Sequence, residues 1–155
     1  MSRIARVVVP GYPHHVTQRG NNRETVFFDS EDRGVYLRLL RKYTVQHKVQ
    51  VWAYCLMGNH VHLVLVPDEE GGLCGCMGRV NLCYTQYINR KYEQSGRLWQ
   101  NRFLSCPVEK EQYLWVVARY VEANPVRAGL IRYAEEYAWS SAQAHVLGKE
   151  DNEQD

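Results

Sequence analysis

The stretch "MGNHVHLVLVP", Met57–Pro67, sets two histidines one residue apart within an otherwise apolar run. Successive side chains of a strand point to opposite faces. His60 and His62 therefore share one face, while Val61, Leu63 and Leu65 share the other. Two imidazoles on one sheet face suit a divalent metal, since imidazole is a common transition-metal ligand. The pair equally suits hydrogen-bonded surface histidines, and the motif alone does not separate the two readings. In front of it, Gly58-Asn59 reads as a two-residue turn of the hairpin type, preceded by a strand over Val49–Met57.

Working outward, "HHVTQRG" (His14–Gly20) reads as the first strand, with His15, Thr17 and Arg19 on one face and His14, Val16 and Gln18 on the other. Asp29 or Ser30 caps a helix whose first turn carries Glu31 and Asp32 and whose apolar stripe is Val35, Leu39, Leu40 and Tyr43. Gly71-Gly72 separates the histidine strand from a long helix over about Leu73–Tyr92. "RFLSCPVE" (Arg102–Glu109) reads as a fourth strand, at an edge or ending early because of Pro107. A third helix spans Glu109–Ala123, where Asn124-Pro125 ends it, and a last helix spans Ala134–Leu147. The order β-α-β-β-α-β-α predicts an α+β fold: a ferredoxin-like, split β-α-β antiparallel sheet. Helices cover one face, and a catalytic helix near the C-terminus is laid over the other. One domain accounts for residues 1–147, and the acidic stretch 148–155 reads as a flexible tail.

Composition bounds the function. The 155 residues, 45% hydrophobic and 23% charged, suit one globular domain with its own core. A net charge of +2 does not by itself imply nucleic acid, but Met1–Arg23 carries Arg3, Arg6, Arg19 and Arg23 and no acidic residue. Eleven tyrosines against three phenylalanines suit interfaces and base stacking as well as a core. No secretion signal or membrane-length apolar run is visible, so the expected compartment is the cytoplasm, with the five cysteines reduced. "CGCMGRVNLC" (Cys74, Cys76, Cys83) lacks a nearby fourth ligand for zinc.

In the third helix, Tyr120 and Asn124 lie four residues apart on one face, while Leu114, Val117 and Val121 form a separate apolar stripe. A tyrosine hydroxyl and an amide oxygen can thus be presented together to two strand histidines. That assembly suits metal-assisted phosphoryl transfer with tyrosine as nucleophile. Tyrosines at helical spacing are more often packing residues, and Tyr84 and Tyr87 are rivals on the second helix.

"HVTQRGNN", "GNHVHLVL", "LWQNRF" (Leu98–Phe103) and "YVEANPVRAGL" (Tyr120–Leu130) together resemble one family. It is the single-tyrosine HUH transposases of the small insertion-sequence, IS200-like type, and most closely their REP-associated relatives. The resemblance runs from about Gly11 to Ser141. It implies that His60 and His62 ligate a divalent metal ion, Mg2+ or Mn2+. It implies further that Tyr120 attacks a DNA phosphodiester to leave a 5′-phosphotyrosine and a free 3′-hydroxyl. Asn124 falls where relatives carry a third polar ligand, often glutamine. By ligand softness, two imidazoles and an amide favour zinc, nickel or copper, so Mg2+ or Mn2+ rests on the resemblance and on phosphate oxygens completing the shell. The implied partner is single-stranded DNA with imperfect palindromic hairpins, bound by a homodimer or a monomer. Arg19, Arg23, Arg97, Arg102 and Arg127, with Arg90 and Lys91, are candidates for phosphate contact, and Trp99 and Phe103 for stacking on bases. The competing readings are a non-catalytic single-stranded DNA or RNA binding module on the same sheet, a relaxase or replication initiator, and a histidine-rich zinc protein.

Overall fold

The computed structural model describes residues 7–108 and 111–147; Arg3, Arg6, Glu109 and the tail at 148–155 lie outside the described residues. Strands β1 (His14–Arg19), β2 (Val49–Leu56), β3 (His60–Pro67) and β4 (Leu104–Pro107) form one sheet in the order β2-β3-β1-β4. Every neighbouring pair is antiparallel. Helix α1 (Ser30–Gln46) joins β1 to β2, and α2 (Gly72–Lys91) joins β3 to β4. Helices α3 (Glu111–Glu122), α4 (Asn124–Arg127) and α5 (Ala142–Leu147) follow. This is the expected α+β, split β-α-β arrangement.

Alternation along the strands sorts the two faces. Val16, Tyr54, Leu56, Val61, Leu63 and Leu65 join one buried cluster with side chains of α1 and α2. Each such side chain contributes about 1.5–3 kcal/mol on full burial, so this face supplies most of the stability. Among the described residues four tyrosines, Tyr36, Tyr43, Tyr54 and Tyr84, are buried. Ala53, Cys55, Met57 and Val64 point the other way and meet Leu114, Ala118 and Val121 of α3. The spacing of those three is a helical stripe, and it seats α3 on the sheet face that carries His60 and His62.

Side chains fix the helix ends. Asp29 caps α1 by accepting from the Asp32 N–H. Asp32 is itself buried and accepts from Tyr87 Oη, Tyr92 Oη, Lys91 Nζ and the Phe28 N–H, tying the start of α1 to the end of α2.

Several boundaries differ from the sequence expectation. The fourth strand starts at Leu104 rather than Arg102, because the preceding segment makes its own pairing with the end of β1. There the Asn21 N–H donates to Leu98 O and the Gln100 N–H to Arg19 O. Asn124-Pro125 does not stop the helical path but restarts it as α4, where the missing proline N–H costs nothing in a first turn. The last helix is only α5. Residues 134–136 form a single 3-10 turn, and residues 139–141 run beside β2, with the Leu56 N–H donating to Trp139 O and the Ser141 N–H to Tyr54 O. Backbone committed to that pairing cannot also be helical.

Candidate active site

The site is built outward from β3. Its neighbour β1 pairs with it so that Thr17 lies opposite His62 and Arg19 opposite His60. His15, two residues before Thr17, shares the face, and its Nε2 stands 3.0 Å from His62 Nδ1. The His60 and His62 rings are 5.1 Å apart, and those of His15 and His62 are stacked at 5.2 Å. On the far side of His60, its Nδ1–H donates to Asn59 Oδ1 at 2.6 Å. That assigns the tautomer with a bare Nε2.

Asn59 is held in turn. Its carbonyl accepts from the Gly20 N–H, and its Nδ2 donates to Arg23 O. Gly20 must be glycine, since a Cβ there would lie 2.3 Å from Glu24 O and 2.8 Å from a Val26 methyl. Gly58-Asn59 is a two-residue turn, but neither residue takes positive φ. Its carbonyls instead receive the N–H groups of Gly20, Val26 and Phe27.

All three imidazoles are held neutral. Burial lowers the pKa of His15; burial and the charge of Arg19 lower that of His60. His62 falls to about 3 through burial, then His60 and His15, then Arg127 and Arg19. Neutral imidazole is the form that binds metal. Each histidine of the pair has Nδ1 engaged and, among the described residues, no hydrogen bond on Nε2. A ring fixed through one nitrogen with the other free is how metal-ligating histidines are commonly held. The pair therefore fits a divalent ion. Among the described residues, no three His, Cys, Asp or Glu side chains converge into a complete cage.

Tyr120 comes from α3, on the same side. Its ring lies 6.3 Å from that of His62 and 6.1 Å from that of His15, and half its surface is open to solvent. The Arg127 guanidinium sits over the ring at 3.9 Å, brought there by the restart of the helix at α4. The rivals are engaged elsewhere. Tyr84 Oη donates to Val26 O in the core, and Tyr87 Oη donates to Asp32, its pKa pushed up to about 12 by burial and that carboxylate. Asn124 opens α4 one turn beyond Tyr120. Its Nδ2 is buried without a partner, and no contact links it to either histidine among the described residues.

A cleft of about 370 Å³ runs beside the pair, lined by Thr17, Arg19, His60, His62, Arg102 and Leu104. Arg19 and Arg102 thus belong to the site, and Arg127 stands at the tyrosine. Arg23 and Arg97 line a separate depression against Asn89 and Ser95. Trp99 and Phe103 correct the expectation of base stacking. Each is only 6% exposed, and Trp99 packs against Tyr36 and Tyr84 in the core, so neither offers an open ring face. Cys74, Cys76 and Cys83 lie along α2, with Cys74 exposed and Cys76 buried. His15 and Asn59 were not expected at the site. The alternation that put His15 beside Arg19 was the available signal for the first, and adjacency to His60 for the second. No described helix is long and apolar enough to cross a membrane.

A four-stranded antiparallel sheet with a tyrosine-bearing helix across its histidine face has the architecture of tyrosine transposases. The structure of a REP-associated tyrosine transposase bound to a REP hairpin superposes with a TM-score of 0.79 at 16% identity, covering 95% of this chain and 86% of that one. A Deinococcus radiodurans R1 structure assigned to the transposases gives 0.52 at 20% identity, over 78% of this chain and 96% of that one. The sequence model of the IS200-like transposases matches residues 9–124, and the chain belongs to that family. A Haemophilus influenzae protein named among the REP-associated tyrosine transposases is 23% identical over 117 residues, covering 68% of this chain. The chain spans 66% of the length of that relative.

Proposed function

We propose that the chain is a single-stranded DNA transposase that cleaves and rejoins strands through Tyr120. The observation that carries this reading is the Tyr120 ring poised 6.3 Å from His62 and 6.1 Å from His15, with the Arg127 guanidinium over it. In the proposed step the Tyr120 oxygen forms a bond to phosphorus, the bond from phosphorus to the 3′ oxygen breaks, and that oxygen leaves as a 3′-hydroxyl carrying the proton. The 5′-phosphotyrosine conserves a phosphodiester, so the reverse attack by a 3′-hydroxyl rejoins a strand without another energy source.

His60 and His62 would hold the divalent ion, Mg2+ or Mn2+, with the Asn124 amide oxygen as a third donor. Such an ion supplies polarisation of a phosphoryl oxygen and neutralises charge building up in the transition state. The chain's own groups do the rest. Asn59 and His15 fix the two ring orientations, while Arg19 and Arg102 line the cleft and Arg127 stands over Tyr120, positive charge suited to a phosphodiester. The Arg127 guanidinium over the Tyr120 ring restrains its swing.

The superposed relative is bound to a REP hairpin, which supports hairpin-forming single-stranded DNA as the substrate here. One chain supplies both the histidines and the tyrosine, which favours action as a monomer over a site shared between two copies.

The test is incubation of wild-type and Tyr120→Phe protein with labelled single-stranded hairpins and Mn2+ or Mg2+. A covalent protein–DNA band is expected from wild type alone. Equal bands from both proteins would remove Tyr120 as the nucleophile. Tight hairpin binding without adducts on any substrate would favour the non-catalytic binding module.

A further inference from the structure

A second cavity, of about 520 Å³, opens on the histidine face of the sheet, at the end away from His60. Its floor is apolar and buried: Val66 near the end of β3, Val108 after β4, and Leu114 in the first half of α3. Two aromatic side chains line it, Tyr12 and Trp52, and they are 46% and 40% exposed, unlike the enclosed tyrosines of the core. Among the described residues, Asp68 is the only charged side chain on its wall. The helix that carries Tyr120 thus has a hollow toward each end. The cleft beside the histidines is cationic, with Arg19 and Arg102, and the hollow by Leu114 is aromatic and anionic.

Each wall is placed by a backbone device. Strands β2 and β3 shift register between Val51 and Ala53, which leaves Trp52 as the extra residue of a bulge. A bulge re-aims a side chain, and this one turns the indole onto the cavity beside Gln50 and Val66. Trp52 Nε1–H donates to Gln50 Oε1 at 3.2 Å. That bond orients the indole and occupies its one donor, so a ligand meets the π face. Gly11, at φ +82°, turns the chain so that its N–H donates to Pro67 O, and the Tyr12 N–H donates to Val9 O. The Asp68 N–H donates to Lys48 O, which holds the third wall. Among the described residues no cation pairs with the Asp68 carboxylate, whereas that of Glu69 is met by Lys48 Nζ at 3.4 Å.

Aromatic faces and a carboxylate together attract a cation and repel phosphate. An ammonium is compact and strongly hydrated. A guanidinium is planar and weakly hydrated, and it can stack on a ring while its fork of N–H groups pairs with a carboxylate. We propose that this cavity is a guanidinium-binding site, with the group stacked on Trp52, paired with Asp68 and flanked by Tyr12. The ligand is arginine, as the free amino acid or as a side chain of a partner polypeptide. It is held on the DNA-handling face without entering the DNA cleft.

The experiment is a two-dimensional proton–nitrogen NMR titration of the full chain, following the Trp52 indole N–H and the Tyr12 and Asp68 amides. The probes are free arginine, a blocked Gly-Gly-Arg-Gly-Gly peptide and its lysine counterpart. Saturable shifts centred on those signals are expected from an arginine probe, with the lysine peptide about tenfold weaker. Tighter binding of the arginine peptide identifies a partner polypeptide as the source, and tighter binding of free arginine identifies the small molecule. Asp68→Asn and Trp52→Leu, both at exposed positions, should each weaken binding about tenfold and still form Tyr120 adducts on hairpin DNA. Absence of saturable shifts with both arginine probes overturns the site. Equal affinity for the lysine peptide does so too, as does unchanged affinity in either folded variant. Displacement of the arginine peptide by a hairpin oligonucleotide also overturns it, because the hollow would then belong to the DNA path. The titration itself contains no DNA, so its failure leaves the transposase reading untouched, and the loss of that reading leaves the site standing.

Discussion

The two faces of β3 belong to the same eight residues yet live in different solvents. Val61, Leu63 and Leu65 are fully buried against two long helices, whereas His60 and His62, alternating with them, are half-buried beside a polar cleft. On the first face the chain spends apolar bulk on stability. On the second, α3 touches the sheet mainly through Leu114, Ala118 and Val121, leaving the strand's leading end free for imidazoles. A period of two thus lets one strand serve a core on one face and a polar cleft on the other.

The comparison breaks if function and stability do not separate by face. The largest effect is expected from His62→Ala, which should abolish Tyr120 adducts while leaving the denaturant midpoint nearly unchanged; a large loss of stability would show that the histidine face also carries the core. Leu63→Ala should do the reverse. It should lower unfolding free energy by about 2–5 kcal/mol in chemical denaturation, through lost transfer energy and the cavity left behind. Next, Asp32→Ala strands two tyrosine hydroxyls and the Phe28 N–H, and should cost about 2 kcal/mol with adduct formation retained at temperatures where the variant is folded.

A smaller effect, about 1 kcal/mol, is expected where α3 is fastened from behind. Buried Glu122 accepts from Ser141 Oγ and His145 Nδ1, pinning the chain that follows to the helix carrying Tyr120. Glu122→Gln should lower the thermal midpoint modestly and reduce adduct yield more than hairpin affinity.

The smallest effect is a pH dependence on the core face. His14 is fully buried, donates from Nδ1 to Tyr12 O and accepts the Val9 N–H on Nε2, and burial lowers its pKa. The unfolded chain takes up a proton near the ordinary value of 6.5 that the folded chain resists. Stability is therefore unaffected by this group above that pH, and falls as pH drops below it. The fall in midpoint between pH 7 and pH 5 should be shallower in His14→Gln than in wild type, as about one proton's linkage is removed.

Local rules were enough for much of this. Strand alternation placed His60 and His62 on one face and His15 with Arg19 on another strand, and the element order gave the sheet. What local pattern could not supply was contact across long separations. His15 reaches His62 only because β1 pairs with β3, and Glu122 meets Ser141 only after the chain turns back along β2. The "WQNRF" segment was legible as a motif but not as a location: Trp99 and Phe103 turn inward because Leu98 and Gln100 pair with the end of β1. The final helix was overcalled by propensity, since its middle is taken by pairing with β2.

That pairing has a consequence for life at high concentration. An open sheet offers its outer strands as templates for other chains. Here one border is occupied by residues 139–141 against β2, and the other is β4, four residues long and ending at Pro107, which has no N–H to give. With both borders blunted, the sheet gives neighbouring copies little backbone to extend.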